Sequence, residues 1–124
     1  MVLRYLDLMN TGTIEYECDL TKYLAKSIDI LAFKMVKVKV DYQKSEDILD
    51  LGLNITCQLV LACDVTGKGV ESNLDVMEDL KFGKTLDCDY PLTEEIDLDE
   101  LVYGYIVSEK PYVVYHSSVN IEEI

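Results

Sequence analysis

The chain has 124 residues, 49% of them apolar, and a formal net charge of −13 from 11 Lys and Arg against 24 Asp and Glu. That length suits one domain with a real core, and a 28% charged fraction with two prolines and six glycines lacks the composition of a disordered tract. So acidic a surface repels a nucleic-acid backbone and attracts cations and basic proteins.

From the start of the chain, Met1 to Asn10 has one base, Arg4, and an acid, Asp7, inside its apolar run. That is not the pattern of an export signal. No stretch reaches the ~20 apolar residues of a membrane span. The expected location is therefore cytoplasmic. Thr13 to Leu20 reads as a strand with Ile14, Tyr16 and Cys18 on one face. A weak helical pattern covers Thr21 to Ser27. From Val36 to Tyr42, Val36, Val38, Val40 and Tyr42 point one way while Lys37, Lys39 and Asp41 point the other. The same alternation runs from Leu51 to Cys63 through Leu53, Ile55, Cys57, Leu59 and Leu61, with Asn54, Thr56 and Gln58 opposite. The polar turn Lys44-Ser45-Glu46-Asp47 joins these two strands into a long antiparallel hairpin.

Thr66-Gly67-Lys68-Gly69 is a turn, and a strand follows from Val70 to Phe82 with Leu74, Val76, Leu80 and Phe82 apolar. Its polar middle leaves room for a bulge. The period then changes. Leu98, Leu101, Val102, Tyr105 and Ile106 recur at the spacing of one helix face. Asp97 and Glu100 form a capping pair at its start, Asp99 and Glu100 face water, and Pro111 ends the pattern. The predicted class is α+β: a mostly antiparallel sheet, open or closed into a barrel, with one main C-terminal helix packed on it. The whole chain, 1–124, is read as a single domain, with 117–124 a flexible C-terminal tail.

Sites for chemistry are hard to find in this pattern. Cys18, Cys57, Cys63 and Cys88 are scattered and read as small apolar residues. The Cys63-Asp64-Val65-Thr66 turn has the shape of a zinc knuckle, but Thr66 stands where the second sulfur belongs, so no metal is expected. His116 is the one histidine and has no nucleophile elbow beside it. Gly83-Lys84-Thr85 resembles the end of a phosphate loop, yet Glu78 occupies the position of the required first glycine. The acids near the helix do not follow calcium-loop spacing. No catalytic residue and no cofactor is predicted.

The charge is uneven. Residues 1–44 carry seven bases and six acids, and residues 45–124 carry four bases and eighteen acids. Asp87, Asp89, Glu94 and Glu95 fall in an expected loop, with Asp99 and Glu100 just beyond. These six form the candidate partner-binding surface, because exposed loops carry recognition and acids select a basic partner.

Three features combine into a resemblance: Leu61-Ala62-Cys63-Asp64-Val65-Thr66 at a strand end, a following strand from Val70, and Ile96-Asp97-Leu98-Asp99-Glu100-Leu101-Val102 before Pro111 and His116. Over residues 36–116 the chain resembles the YceD family, the large ribosomal RNA subunit accumulation proteins. Val65 stands where that family carries arginine, so no metal or phosphate role passes to the Cys63, Asp64 and Thr66 turn. The resemblance implies a non-enzymatic accessory factor in ribosome biogenesis, binding a basic ribosomal protein or a large-subunit precursor. Direct RNA contact would rest on Lys34, Lys37, Lys39 and Lys44 alone, few against 24 acids. The alternatives are a small structural or ligand-binding module with no ribosomal role, and an enzyme that pairs two carboxylates in a pocket.

Overall fold

The computed structural model describes residues 1–111; His116 and the 117–124 tail read from the sequence lie outside the described residues. The chain opens with a short strand, β1 (Val2–Arg4), and then lays down four long antiparallel strands: β2 (Thr11–Glu17), β3 (Ile30–Ser45), β4 (Ile48–Ala62) and β5 (Gly69–Phe82). A three-residue strand, β6 (Glu95–Asp97), leads into the helix α1 (Leu98–Glu109). Sheet order is β2-β3-β4-β5, with β1 and β6 paired apart as a two-stranded ribbon.

Two-fold alternation produces this sheet directly. Leu49, Leu51, Leu53, Ile55, Cys57, Leu59 and Leu61 of β4 lie on one face, none more than 1% exposed. Val36, Val38 and Val40 of β3 stand across from Cys57, Ile55 and Leu53. Val76, Leu80 and Phe82 of β5 complete the face from the other side. A sheet that buries one face needs a cover, and α1 supplies it with Leu98, Val102 and Ile106, spaced by four and each 0% exposed. Each fully buried Leu or Ile contributes about 1.5–3 kcal/mol through its apolar area.

The β3–β4 hairpin closes tightly. Ser45 pairs with Ile48, leaving Glu46 and Asp47 as a two-residue loop. Asp47 takes φ 57°, a left-handed conformation that aspartate accepts more readily than most residues.

The predicted mostly antiparallel sheet with one main C-terminal helix is the architecture found, and the closure left open is settled: β2 and β5 are sheet edges, so there is no barrel. The irregularity is in another place than expected. β5 pairs with β4 without interruption from Gly69 to Phe82, whereas β3 shifts register between Ile30 and Ala32 and again between Phe33 and Met35. Those shifts break the parity of residues 30–35, which is why the alternation points to a strand start only at Val36. The ribbon of β1 and β6 has no sequence signal because three-residue strands carry no period. It matters nonetheless: the Leu98 amide donates to the Met1 carbonyl at 3.0 Å, so the start of the chain fixes the entry of α1. Asp97 caps α1 as expected, its side chain accepting from the Asp99 and Glu100 amides at 3.1 and 3.4 Å.

Leu59→Ala should lower the unfolding free energy by about 2–5 kcal/mol in urea titration. Thr56→Ala, on the open face of the same strand, should change it by no more than about 0.5 kcal/mol. Equal effects from the two variants would contradict the burial of one face.

Candidate functional site

With Leu98, Val102 and Ile106 turned to the sheet, Leu101 and Tyr105 fall on the flank of α1 beside β5. The connection after β5 is folded back against that strand's end. The Asp89 amide donates to the Lys81 carbonyl at 2.8 Å, and the Lys81 amide donates to Asp89 Oδ2 at 2.9 Å. Tyr90 also donates its amide to the Lys81 carbonyl, and accepts from Gly83 at 2.9 Å. Its ring stacks on Phe82, centroids 5.3 Å apart at 25°. Tyr90 therefore stands near α1, and the two line a groove of about 590 Å³. Phe82, Tyr90, Leu101 and Tyr105 give it aromatic and aliphatic walls, and Glu95, Asp97 and Glu100 also line it. No Lys or Arg is among its lining residues.

Burial, the hydrogen bond with Tyr90 and the charges of Tyr90, Glu78 and Asp89 push Tyr105 up to about 12. Such a site favours a cation, which gains from the carboxylates and from the tyrosine faces together. Gly104 lines the same groove in the interior of α1, where glycine costs about 1 kcal/mol relative to alanine. Apart from its chain neighbours and the backbone of its own helix, no described atom lies within 4 Å of where its Cβ would stand, so nothing described inside the chain requires a glycine here.

Of the six acids predicted as a partner surface, Asp87, Asp89, Glu94, Glu95 and Glu100 are exposed and Asp99 is not. Asp87 is exposed in the turn after β5. Asp89 is exposed but its carboxylate is committed to the Lys81 amide. Glu94 is exposed, and its carbonyl accepts from Tyr5 at 3.0 Å. Glu95 lies in β6, with Oε1 3.4 Å from Arg4 Nε in a solvent-exposed pair. Glu95 and Glu100 reach the groove.

Asp99 departs from expectation. It turns inward instead of facing water, its side chain 15% exposed, with Oδ1 2.9 Å from the Met1 ammonium. The Cys18 thiol donates to the same oxygen at 3.2 Å and the Tyr16 hydroxyl at 3.4 Å. Burial alone would raise this carboxyl. The bonds from the ammonium and from Cys18, with the charges of the ammonium and Lys22, outweigh it and hold the group below the usual carboxylate range. Burial and the bond to Asp99 push the Cys18 thiol up to about 12. Both Tyr16 and Cys18 stay neutral as donors, and Asp99 stays charged between them.

The Cys63 turn is braced by local hydrogen bonds. Cys63 is buried, its sulfur 3.5 Å from the Thr66 amide, and the Thr66 hydroxyl accepts from the Lys68 amide at 3.2 Å. Asp64 is exposed beside it. Among the described residues, no group of three or more His, Cys, Asp or Glu is placed to hold a metal ion. On the open face of the sheet, Lys37 and Lys39 stand opposite Glu17 and Glu15, which offset them. A second, wider depression of about 750 Å³ lies on that face around Gly52, flanked in register by Asp41 and Asp79.

Sequence periodicity assigns Tyr105 to the buried helix face and gives Tyr90 no role. What could mark them is composition: three tyrosines and a glycine within a run of acids that has no base between Thr85 and Glu109.

Two measurements probe these placements. The Asp99 carboxyl is depressed in the folded chain, so its contribution is complete above the unfolded value of about 3.9 and fades as pH falls through the folded value. Asp99→Asn should be less stable than the parent at pH 7, and the gap should shrink as pH falls below about 4. A gap independent of pH would show that the carboxylate charge is not what holds this junction. In thiol alkylation of the folded protein, Cys88, the one cysteine that is not buried, should react first. Cys18 and Cys57, buried and pushed up to about 12 and about 11, should react only after denaturation.

No family model, no curated protein and no solved structure matches the chain.

Proposed function

We propose that the chain is a non-enzymatic binding module that holds a basic segment of a protein partner in the groove between α1 and Tyr90, as an accessory factor in large-subunit ribosome assembly. One observation carries the binding reading: Gly104 leaves the groove unfilled between tyrosine walls, with three acids and no base among its lining residues. A Lys or Arg side chain suits such a groove because its stem covers apolar surface while its head meets a carboxylate or a ring face. The ribosomal setting comes from the resemblance of Cys63–Thr66 and Ile96–Val102 to the YceD family, and ribosomal proteins are a basic class of partner. The offset of Lys37 and Lys39 by Glu17 and Glu15 favours protein over RNA as the contact. Among the described residues, no helix is long and apolar enough to cross a membrane.

Gly104→Ala should stabilise α1 by about 1 kcal/mol, since alanine is the better helix former. Gly104→Phe should fill the groove, keep the melting profile of the sheet, and reduce capture of large-subunit proteins from cells at least tenfold. Glu95→Lys with Glu100→Lys should slow association and flatten its salt dependence, because exposed charges act mainly on the encounter rate. Undiminished capture by Gly104→Phe would remove the groove from the interface. Absence of large-subunit components from the captured material would remove the ribosomal setting.

A further inference from the structure

We infer that the free edge of β5 is a strand-addition site, and that the basic segment pairs with it as an extended strand whose residues alternate apolar and Lys or Arg. This rests on the reading of the partner as basic and adds how the partner is held.

The two edges of the sheet are unlike. β2 is seven residues long, its acids Glu15 and Glu17 face Lys39 and Lys37, and its Tyr16 is tied to Asp99 at the start of α1. β5 runs 14 residues in unbroken register with β4. Regular register keeps the outward amides and carbonyls of an edge in line, which is what an added strand requires. At the far end of β5 the chain pairs with this edge itself: Asp89 and Tyr90 bond Lys81, and Tyr90 bridges to Phe82 in parallel. From Val70 to Leu80, no further backbone hydrogen bond to the outer side is made among the described residues.

Charge identifies the occupant. Asp75 and Asp79 project from the open face of β5, and their neighbours on β4 are Thr56 and Gly52. Neither neighbour offsets them, and the next residue beyond Gly52 is another acid, Asp41; the one base nearby on this face of β5, Lys81, stands opposite Asp50. A second copy of β5 would place like charges along the new seam, so self-pairing is disfavoured. A strand with Lys or Arg at alternate positions meets Asp75 and Asp79 on the open face. Its intervening apolar residues fall on the helix face beside Leu74, which α1 leaves half-buried. Met77, 78% exposed on the open face, offers the lysine stems an apolar seat.

The test uses the full chain and an eight-residue peptide of alternating Lys and Val, read by amide exchange and chemical shift in NMR. Binding should slow exchange at alternate β5 amides between Val70 and Asp79 at least tenfold. N-methylating the peptide at one parity should abolish the effect, and at the other parity should leave it intact. Asp75→Lys with Asp79→Lys, both on exposed positions, should lose the Lys peptide and gain an otherwise equal Glu and Val peptide. Three outcomes overturn the inference: β5 amides already protected in the free chain, a dimer of the free chain sealed along β5, or shifts confined to Tyr90, Gly104 and Tyr105. The last of these would leave the groove and its basic partner standing. Failure of the peptide to perturb either place would overturn both readings.

Discussion

Seven alternate side chains of β4, from Leu49 to Leu61, leave water as a block, and the rest of the molecule is arranged to permit it. Because their period is two, they bury only if β4 is flanked on both sides, which places it between β3 and β5. Because they bury on one face, something must cover that face. Left open, the stripe would be an apolar patch far larger than a soluble surface tolerates. The helix is that cover, and its own four-residue stripe of Leu98, Val102 and Ile106 is satisfied by the same contact.

A cover held by apolar contacts alone could rotate about its axis, since apolar burial has no direction. Polar anchors at both ends of α1 remove that freedom. At the start, Asp97 caps the helix and Asp99 collects Met1, Tyr16 and Cys18 on one oxygen, tying the beginning of the chain and the β2 edge to the first turn. Detaching those donors would leave a partly buried carboxylate uncompensated. At the end, Lys110, 9% exposed, pairs with Asp29 just ahead of β3. A cation in that position also favours the helix C-terminus. Rotation being fixed, the flank carrying Leu101, Gly104 and Tyr105 is set opposite Tyr90. The groove is thus a by-product of how the cover is fastened.

Charge is sorted by the same geometry. On the β2 and β3 side, acids and lysines face each other in register and offset one another. On the β5 side the offset is partial: Asp50 faces Lys81 and Glu71 meets Lys34, but Asp75 and Asp79 lack a basic neighbour on β4, and the groove along α1 is lined by Glu95, Asp97 and Glu100. A field of one sign near an open strand edge also discourages pairing between copies, while leaving the edge usable by a basic chain.

Alternation by itself determined β3, β4 and β5 as strands with their buried faces, and the i, i+3, i+4 pattern with Asp97 ahead of it determined α1. These are local properties, because side-chain direction follows from backbone period within a few residues. Parity could not show the first six residues of β3, where register shifts interrupt it, nor the ribbon of β1 and β6, which is too short to have a period. Tertiary structure alone decided the open sheet, the inward turn of Asp99 and the meeting of Tyr90 with Tyr105. Each depends on residues far apart in the chain being brought together. Asp99 reads as a solvated helix acid because its partners, Tyr16 and Cys18, lie 83 and 81 residues away. Only packing puts three donors around it, and a carboxylate so surrounded is more stable inside than in water.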